Sequence, residues 1–429
     1  MMTRRFALVL LLLVAVLSLA SAAFAQSDTI TMALSGEPPN LDPHINGGTS
    51  ARTVRLLVYR GLFNYDESGV ASPQLVDNYE VSEDGLTYTF NLRSAVFHDG
   101  SPVTAEDVKF SLERILNPDT GATFRNLFTV IDSIEVVDAD TVNVTLSTVT
   151  APFIDYLALP EPAVISQTWA EAHNGDLSGN PMGSGPYQFV EYQEGQRIVL
   201  EKFADYYAAD NVVTNRMVFE FYPDGTSRVN ALLSGDVDVV EYVPWQSVPL
   251  IQGNSDFQIL GGAGPFMGLI FNTTFEPFSN PLVRQAVAYA IDRQVVINTA
   301  FFGQGTPIFG MAVPSSSIAY NPDFDGYFEY NPDRARELLA EAGYPDGFTA
   351  RLLATSQYEF HQQTAVAVQA ELAKVGIQLE LDLPDWATRL EQNLAADYDL
   401  LVVGTAGDIA DPDYLTTTTP SRPDPTLKE

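Results

Sequence analysis

The stretch Ser82-Glu83-Asp84-Gly85-Leu86-Thr87-Tyr88-Thr89-Phe90-Asn91-Leu92-Arg93 decides the fold class, together with Phe97-His98-Asp99-Gly100 and Thr104-Ala105-Glu106-Asp107-Val108. Asp84-Gly85 is a turn pair. Residues 87–93 then set threonines against Tyr88, Phe90 and Leu92 at period two, the alternation of a half-buried strand. Thr104 with Asp107 three residues on resembles a capping box. It opens a helix that buries Val108, Leu112 and Ile115 at helical spacing. A turn, strand, second turn and capped helix in one short tract predict mixed α/β scaffold, with no catalytic group in it. His98 reads as structural.

Working outward to the amino end, Arg4 and Arg5 precede an almost unbroken apolar run from residue 6 to 20, and Ala23-Phe24-Ala25 follows. That order is expected of a cleaved secretory signal over residues 1–25, with an uncleaved anchor as the alternative. The apolar run is short for a membrane span. The chain of 429 residues is long enough for two or more domains. It has no cysteine, which excludes disulfides and a lipid-modified cysteine anchor. With 55 acidic against 22 basic residues the formal charge is −33. Nucleic acid and anionic membrane surfaces need clustered Lys and Arg, so neither is an expected partner. The acidity itself is accounted for by solubility.

Strands and helices alternate along the rest of the chain, without a tandem repeat. Residues 29–34 read as a strand, followed by a Gly/Pro-rich loop over 36–50 and a helix over 54–62. Residues 131–137 and 141–146 form a hairpin, and 187–190 and 197–202 are strands. Gly261-Gly262-Ala263-Gly264-Pro265 marks a hinge or domain crossing. Asn280-Pro281 and Asn331-Pro332 start helices. A further helix spans about 362–375, then a strand over 377–383, a short helix from Asp385, and a buried strand over 398–403. This alternation predicts α/β layers with a sheet between helices.

The tract at 82–108 closely resembles the signature of the family-5 extracellular solute-binding proteins, the secreted receptors of ABC importers. Gly183-Ser184-Gly185-Pro186-Tyr187, Ala231-Leu232-Leu233-Ser234-Gly235-Asp236-Val237-Asp238, Phe271-Asn272-Thr273-Thr274, Ala290-Ile291-Asp292-Arg293 and Glu337-Leu338-Leu339-Ala340-Glu341-Ala342-Gly343-Tyr344-Pro345-Asp346-Gly347 extend the likeness over nearly the whole chain. The resemblance implies a two-lobed, type II periplasmic-binding-protein-like clamp with an extra domain inserted in the first lobe. By carry-over, 27–57 and 184–263 form the first domain, 58–183 the insertion and 264–413 the opposing lobe. Residues 414–429, a polar run after four threonines, are expected to be a disordered or aberrant tail, leaving that lobe incomplete. A ligand bridging both lobes favours closure, and the importer reads it. The implied partners are a peptide or other small solute and ABC permease subunits. A periplasmic monomer without cofactor and without enzymatic chemistry is expected.

For the site, the resemblance points to Gly404-Thr405-Ala406-Gly407-Asp408, which follows the last strand. Open α/β sheets present ligands there. In peptide-binding relatives the aspartate matching Asp408 pairs with the peptide ammonium. It reads equally as a turn aspartate, and Asp411 and Asp413 as an Asp-Pro turn. Thr405 stands where many relatives carry tryptophan. Gln362 and Gln363, beside His361, stand where dipeptide-selective relatives carry a carboxylate-binding arginine, which shifts the expected ligand away from strict dipeptides. Gly48, Thr49 and Ser50, read as part of the loop after the first strand, match a cleft-lining region, and read almost as well as ordinary surface loop. Trp169, Trp245 and Trp386 are pocket candidates, with Trp386 more readily core. The four histidines show no metal-ligand spacing. A secreted hydrolase is the rival class, yet no Gly-x-Ser-x-Gly, His-Glu-x-x-His or cysteine nucleophile is present. No lysine follows a phosphate loop, which excludes a P-loop ATPase. Within the family, a haem, nickel-chelate or sugar receptor is the alternative.

Overall fold

The computed structural model describes residues 28–45, 48–66, 69–122, 124–261, 266–309 and 320–405. Its first sheet is built on β1 (Thr29–Leu34), which runs parallel to β10 (Arg216–Phe221) and to the short β11 (Val239–Val240). β9 (Arg197–Lys202) and β8 (Tyr187–Gln193) extend it antiparallel. Leu34, Val54, Val58, Ile198, Leu200 and Phe219 form the core under this sheet. Helix α1 (Gly48–Val58) packs on β8. It begins at Gly48 rather than residue 54, so Gly48, Thr49 and Ser50 are its first turn and not a loop. Gly48 adopts φ +73°, a left-handed conformation that glycine reaches without Cβ strain, and this turns the chain into the helix. Helix α3 (Gly225–Ser234) belongs to the same layer and ends on Gly235 in the left-handed C-cap conformation.

The tract at 82–108 folds as its pattern predicts. β5 (Thr87–Leu92) lies between β4 (Val76–Val81) and β7 (Thr141–Leu146), with β6 (Ile131–Val136) outside β7, all antiparallel. A small ribbon, β2 (Phe63–Tyr65) with β3 (Ala71–Pro73), adjoins them. Tyr88, Phe90 and Leu92 face inward, beneath helix α2 (Ala105–Leu116) with Val108, Leu112 and Ile115. At the start of α2 the backbone N–H and hydroxyl of Thr104 donate to one Asp107 oxygen at 3.0 and 2.7 Å. The other oxygen accepts the Gln167 N–H at 2.9 Å. His98 bonds the Gly185 carbonyl at 3.1 Å, and burial lowers its pKa to about 4. Its role is structural, as expected.

The third sheet has the order β12 (Phe266–Phe271), β15 (Leu400–Thr405), β13 (Phe348–Leu353), β14 (Ile377–Asp382). β14 and β15 run parallel to β13, so their carboxyl ends share one edge, while β12 is antiparallel. Helices α4 (Pro281–Ala290), α5 (Arg293–Ala300), α6 (Pro332–Glu341), α7 (Glu359–Ala373) and α8 (Trp386–Leu394) accompany it. Asn280 and Asn331 cap α4 and α6 by accepting the N–H of Leu282 at 2.9 Å and of Arg334 at 3.0 Å. β15 starts at Leu400 rather than 398, and the carbonyls of Tyr398 and Asp399 just before it accept from the Asn272 side chain and N–H. α7 starts at Glu359, which places Gln362 and Gln363 inside the helix. The glycine-rich crossing at 262–265 and residues 406–429 lie outside the described residues.

Candidate functional site

The wall built on the first sheet ends in a buried carboxylate. As the chain leaves β11, Glu241 sits 7% exposed between β1 and α1. Its Oε2 accepts three bonds: the Ser35 N–H at 2.9 Å, the Ser35 hydroxyl at 2.6 Å and the Ser50 hydroxyl at 2.8 Å. Oε1 accepts the Thr53 hydroxyl at 3.3 Å. A carboxylate so supplied with donors remains stable out of water. Tyr242 follows at φ +50°, a costly conformation for a side-chain-bearing residue. Its carbonyl accepts from Arg228 at 3.0 Å, and its hydroxyl meets Thr49 Oγ1 at 2.8 Å.

The facing wall is the shared carboxyl edge of β13, β14 and β15, where open α/β sheets place their ligands. Three segments converge there: Gln357 and Tyr358 before α7 with Phe360 in its first turn, Trp386 and Arg389 on α8, and Val402 to Gly404 in β15. Trp386 meets Tyr358 edge-on at 5.0 Å between ring centres, and the Arg389 guanidinium lies 4.9 Å from the Trp386 centroid. Arg389 donates to the Val402 carbonyl at 3.1 Å. Burial lowers its pKa to about 10, so it stays charged at neutral pH. His361 is 3% exposed, and burial, then the nearby Arg389 charge, lower its pKa to about 3. Its imidazole is therefore neutral. Gly404 makes room for it: a Cβ there would lie 3.1 Å from His361 Nε2 and 2.8 Å from Met267 Sδ.

The two walls touch. Tyr242 packs against Tyr358 at 5.8 Å and Phe360 at 5.3 Å, and the Tyr358 hydroxyl bonds the Thr49 backbone. Burial is the main cause that raises the Tyr358 pKa, and the Glu241 charge adds to it. A Cβ on Gly48 would lie 2.8 Å from Trp386 Nε1 and 2.9 Å from the Tyr358 hydroxyl. Close approach of the walls thus requires glycine at this position.

Of the sequence candidates, Gly48, Thr49 and Ser50 meet this interface, and Gly404 lies just behind it. Thr405 ends β15 opposite Phe266. Ala406, Gly407 and Asp408 lie outside the described residues, as do Asp411 and Asp413. Trp386 stands between the walls rather than in the core. Trp245, three positions after Tyr242, packs on Phe301 at the end of α5 at 5.7 Å. Trp169 lies tilted against His173 at 4.2 Å, within the layer around α2 and away from the interface. Among the described residues, no group of three His, Asp or Glu side chains is placed to hold a metal ion. A cavity of about 340 Å³ near Asn126, Val149 and Tyr156 lies beside the second sheet and has no charged lining residue. Sequence reading missed Glu241, Tyr242, Tyr358, Phe360 and Arg389. The aromatic pair flanking Glu359 at the start of α7 was the one visible signal.

The family model for bacterial extracellular solute-binding proteins, family 5 Middle, matches residues 71–424. The chain belongs to this family. A curated relative, the glutathione-binding protein GsiB of Pectobacterium atrosepticum, is 34% identical over 375 residues, covering 86% of this chain and 72% of GsiB. Among solved structures, the PBP AgaA of A. tumefaciens, in complex with agropinic acid, is 49% identical with a TM-score of 0.88. The match covers 90% of this chain and 79% of AgaA. The periplasmic binding protein DppA of Helicobacter pylori, in complex with the peptide STSA, is 27% identical with a TM-score of 0.81, over 91% of this chain and 80% of DppA. The two-lobed mixed α/β fold of these neighbours is the fold of this solute-binding protein. No described helix is long and apolar enough to cross a membrane.

Proposed function

We propose that this solute-binding protein is an exported, monomeric, non-enzymatic receptor of the periplasm. It captures a small peptide-like solute between its two walls and hands it to an ABC import permease. The observation that carries the reading is the meeting of two separately built layers through Tyr242, Tyr358, Phe360 and Trp386, at the carboxyl edge of three parallel strands. Such contact changes when the walls part, which is how a clamp reports its load. The division into 27–57 with 184–263, 58–183 and 264–413 is proposed as its domain organisation. Gly48, Thr49, Ser50 and the segment Gly404, Thr405, Ala406, Gly407, Asp408 are proposed to line the ligand, with Asp408 receiving a cationic group.

A second reading is favoured by one observation: the 49% identical AgaA is in complex with agropinic acid, which is not a peptide. The solute of this chain is then a non-peptide organic acid. Thermal unfolding with glutathione, agropinic acid and peptides of two to five residues separates the readings. A ligand at one hundred times its Kd adds about 2.7 kcal/mol to the folded state and raises the Tm. A rise with peptides supports the first reading, and a rise with agropinic acid alone supports the second. No rise with any of them defeats both.

A further inference from the structure

Arg389 holds a buried positive charge that its surroundings do not neutralise. It is 4% exposed, and among the described residues no carboxylate comes within ion-pair distance. Its one hydrogen-bond partner is the Val402 carbonyl, and its Nε is buried without a partner. Arg55 and Arg228, the other buried arginines among the described residues, also keep an unpartnered Nε, but each has more acceptors: Arg55 donates to two carbonyls and the Asn40 side chain, and Arg228 to three carbonyls close to Glu241. The half-buried Arg114 is paired with Asp42 at 2.5 Å. In a chain with 55 acidic residues an acid partner for Arg389 was readily available. Leaving a buried charge uncompensated costs several kcal/mol.

The position of Arg389 explains why the fold tolerates that cost. The residue lies in the first half of α8, at the carboxyl edge of the parallel strands, behind the Trp386 ring that meets the facing wall. The guanidinium carbon lies over the Trp386 ring at 4.9 Å and the Val402 carbonyl takes one N–H group, which leaves the other N–H groups for further acceptors. Trp386 Nε1 is a second buried donor without a partner. Neutral His361 adds no competing charge. We propose that Arg389 and the Trp386 indole receive a carboxylate of the transported solute, which makes that solute an organic acid. This rests on the receptor reading above and commits it to an anionic group on the second wall.

The test is calorimetric titration of the purified protein with glutathione and agropinic acid, each as free acid and as primary amide. The wild type binds the acids at least about 30-fold more tightly than the amides. Arg389→Gln removes about that factor for the acids and changes amide binding less than about 3-fold. Arg389→Lys keeps the charge but not the fork, and falls between. If acid and amide bind alike, or if Arg389→Gln weakens both equally, Arg389 is a structural fastener of Val402 and the proposal is wrong. Should Arg389→Gln not fold, the wild-type preference and Arg389→Lys decide. Binding of none of the four compounds defeats the receptor reading, and this proposal with it. Acid-independent binding defeats the proposal alone.

Discussion

Glu241 and Arg389 stand on facing walls and are similarly buried, at 7% and 4% exposure, yet the fold serves them differently. Glu241 collects four donors from Ser35, just past β1, and from α1, so its charge fastens the chain leaving β11 to two other segments. Arg389 has one carbonyl and one ring. The saturated charge is part of the scaffold, and the less saturated one keeps N–H groups that a partner from outside the scaffold would satisfy.

The sharpest way to break this comparison is to delete each charge. Glu241→Ala strands the Ser35 and Ser50 donors and removes the favourable field at Arg228. It is expected to cost about 3–5 kcal/mol in urea unfolding. Arg389→Met removes an uncompensated charge and keeps most of the packing on Trp386, so the change in stability is within about 1 kcal/mol of zero or favourable. Equal losses at the two sites would show that Arg389 is as structural as Glu241.

The wall that carries Arg389 also holds a histidine that responds to acid. His361, beside Arg389, has its pKa lowered from 6.5 to about 3 by burial. Above pH 6.5 both folded and unfolded chains hold it neutral, so it has no effect on stability. As pH falls below 6.5 the unfolded chain takes up a proton that the folded one refuses, and stability is lost until about pH 3. The loss reaches about 2 kcal/mol at pH 5. His44 and His98 are shifted to about 4 and add slopes of the same sign. The comparison is therefore between the wild type and His361→Gln, and the difference in unfolding free energy between them should narrow by about 2 kcal/mol from pH 7 to pH 5. A constant difference would mean that His361 titrates normally in the folded protein.

How much of this was legible in the sequence follows from the range of the interactions. The alternation at Tyr88, Phe90 and Leu92, the Thr104–Asp107 cap and the Asn-Pro starts at 280 and 331 are local, and each predicted its element. The walls were not local. Glu241 meets Ser35 and Ser50 from about two hundred positions away, and no residue near 241 announces them. Arg389 is harder still, because its significance is a missing neighbour, and in so acidic a chain the composition argues for the opposite. The resemblance pointed to Gly48, Thr49 and Ser50 as part of a loop, whereas they are the first turn of α1. In sequence Gly48 reads as an ordinary loop glycine; its left-handed turn opens α1, and Trp386 of the facing wall approaches it.

That approach supplies the smallest effect. Gly48→Ala forces a Cβ into φ +73° and against Trp386 Nε1 and the Tyr358 hydroxyl, at 2.8 and 2.9 Å. The backbone term is about 1 kcal/mol and applies whether or not the walls touch. The contact term applies only when they do. Both contacts are with the ends of ring side chains, so the walls relieve them by separating slightly rather than by unfolding. The expected result is a stability loss of about 1–2 kcal/mol, with tryptophan fluorescence moving to longer wavelength as Trp386 gains water. Trp386→Phe in the same background should recover the contact term and leave the backbone term. If that double substitution recovers nothing, the walls of the resting protein do not meet at Gly48, and the contrast between Glu241 and Arg389 would belong to two surfaces that act separately.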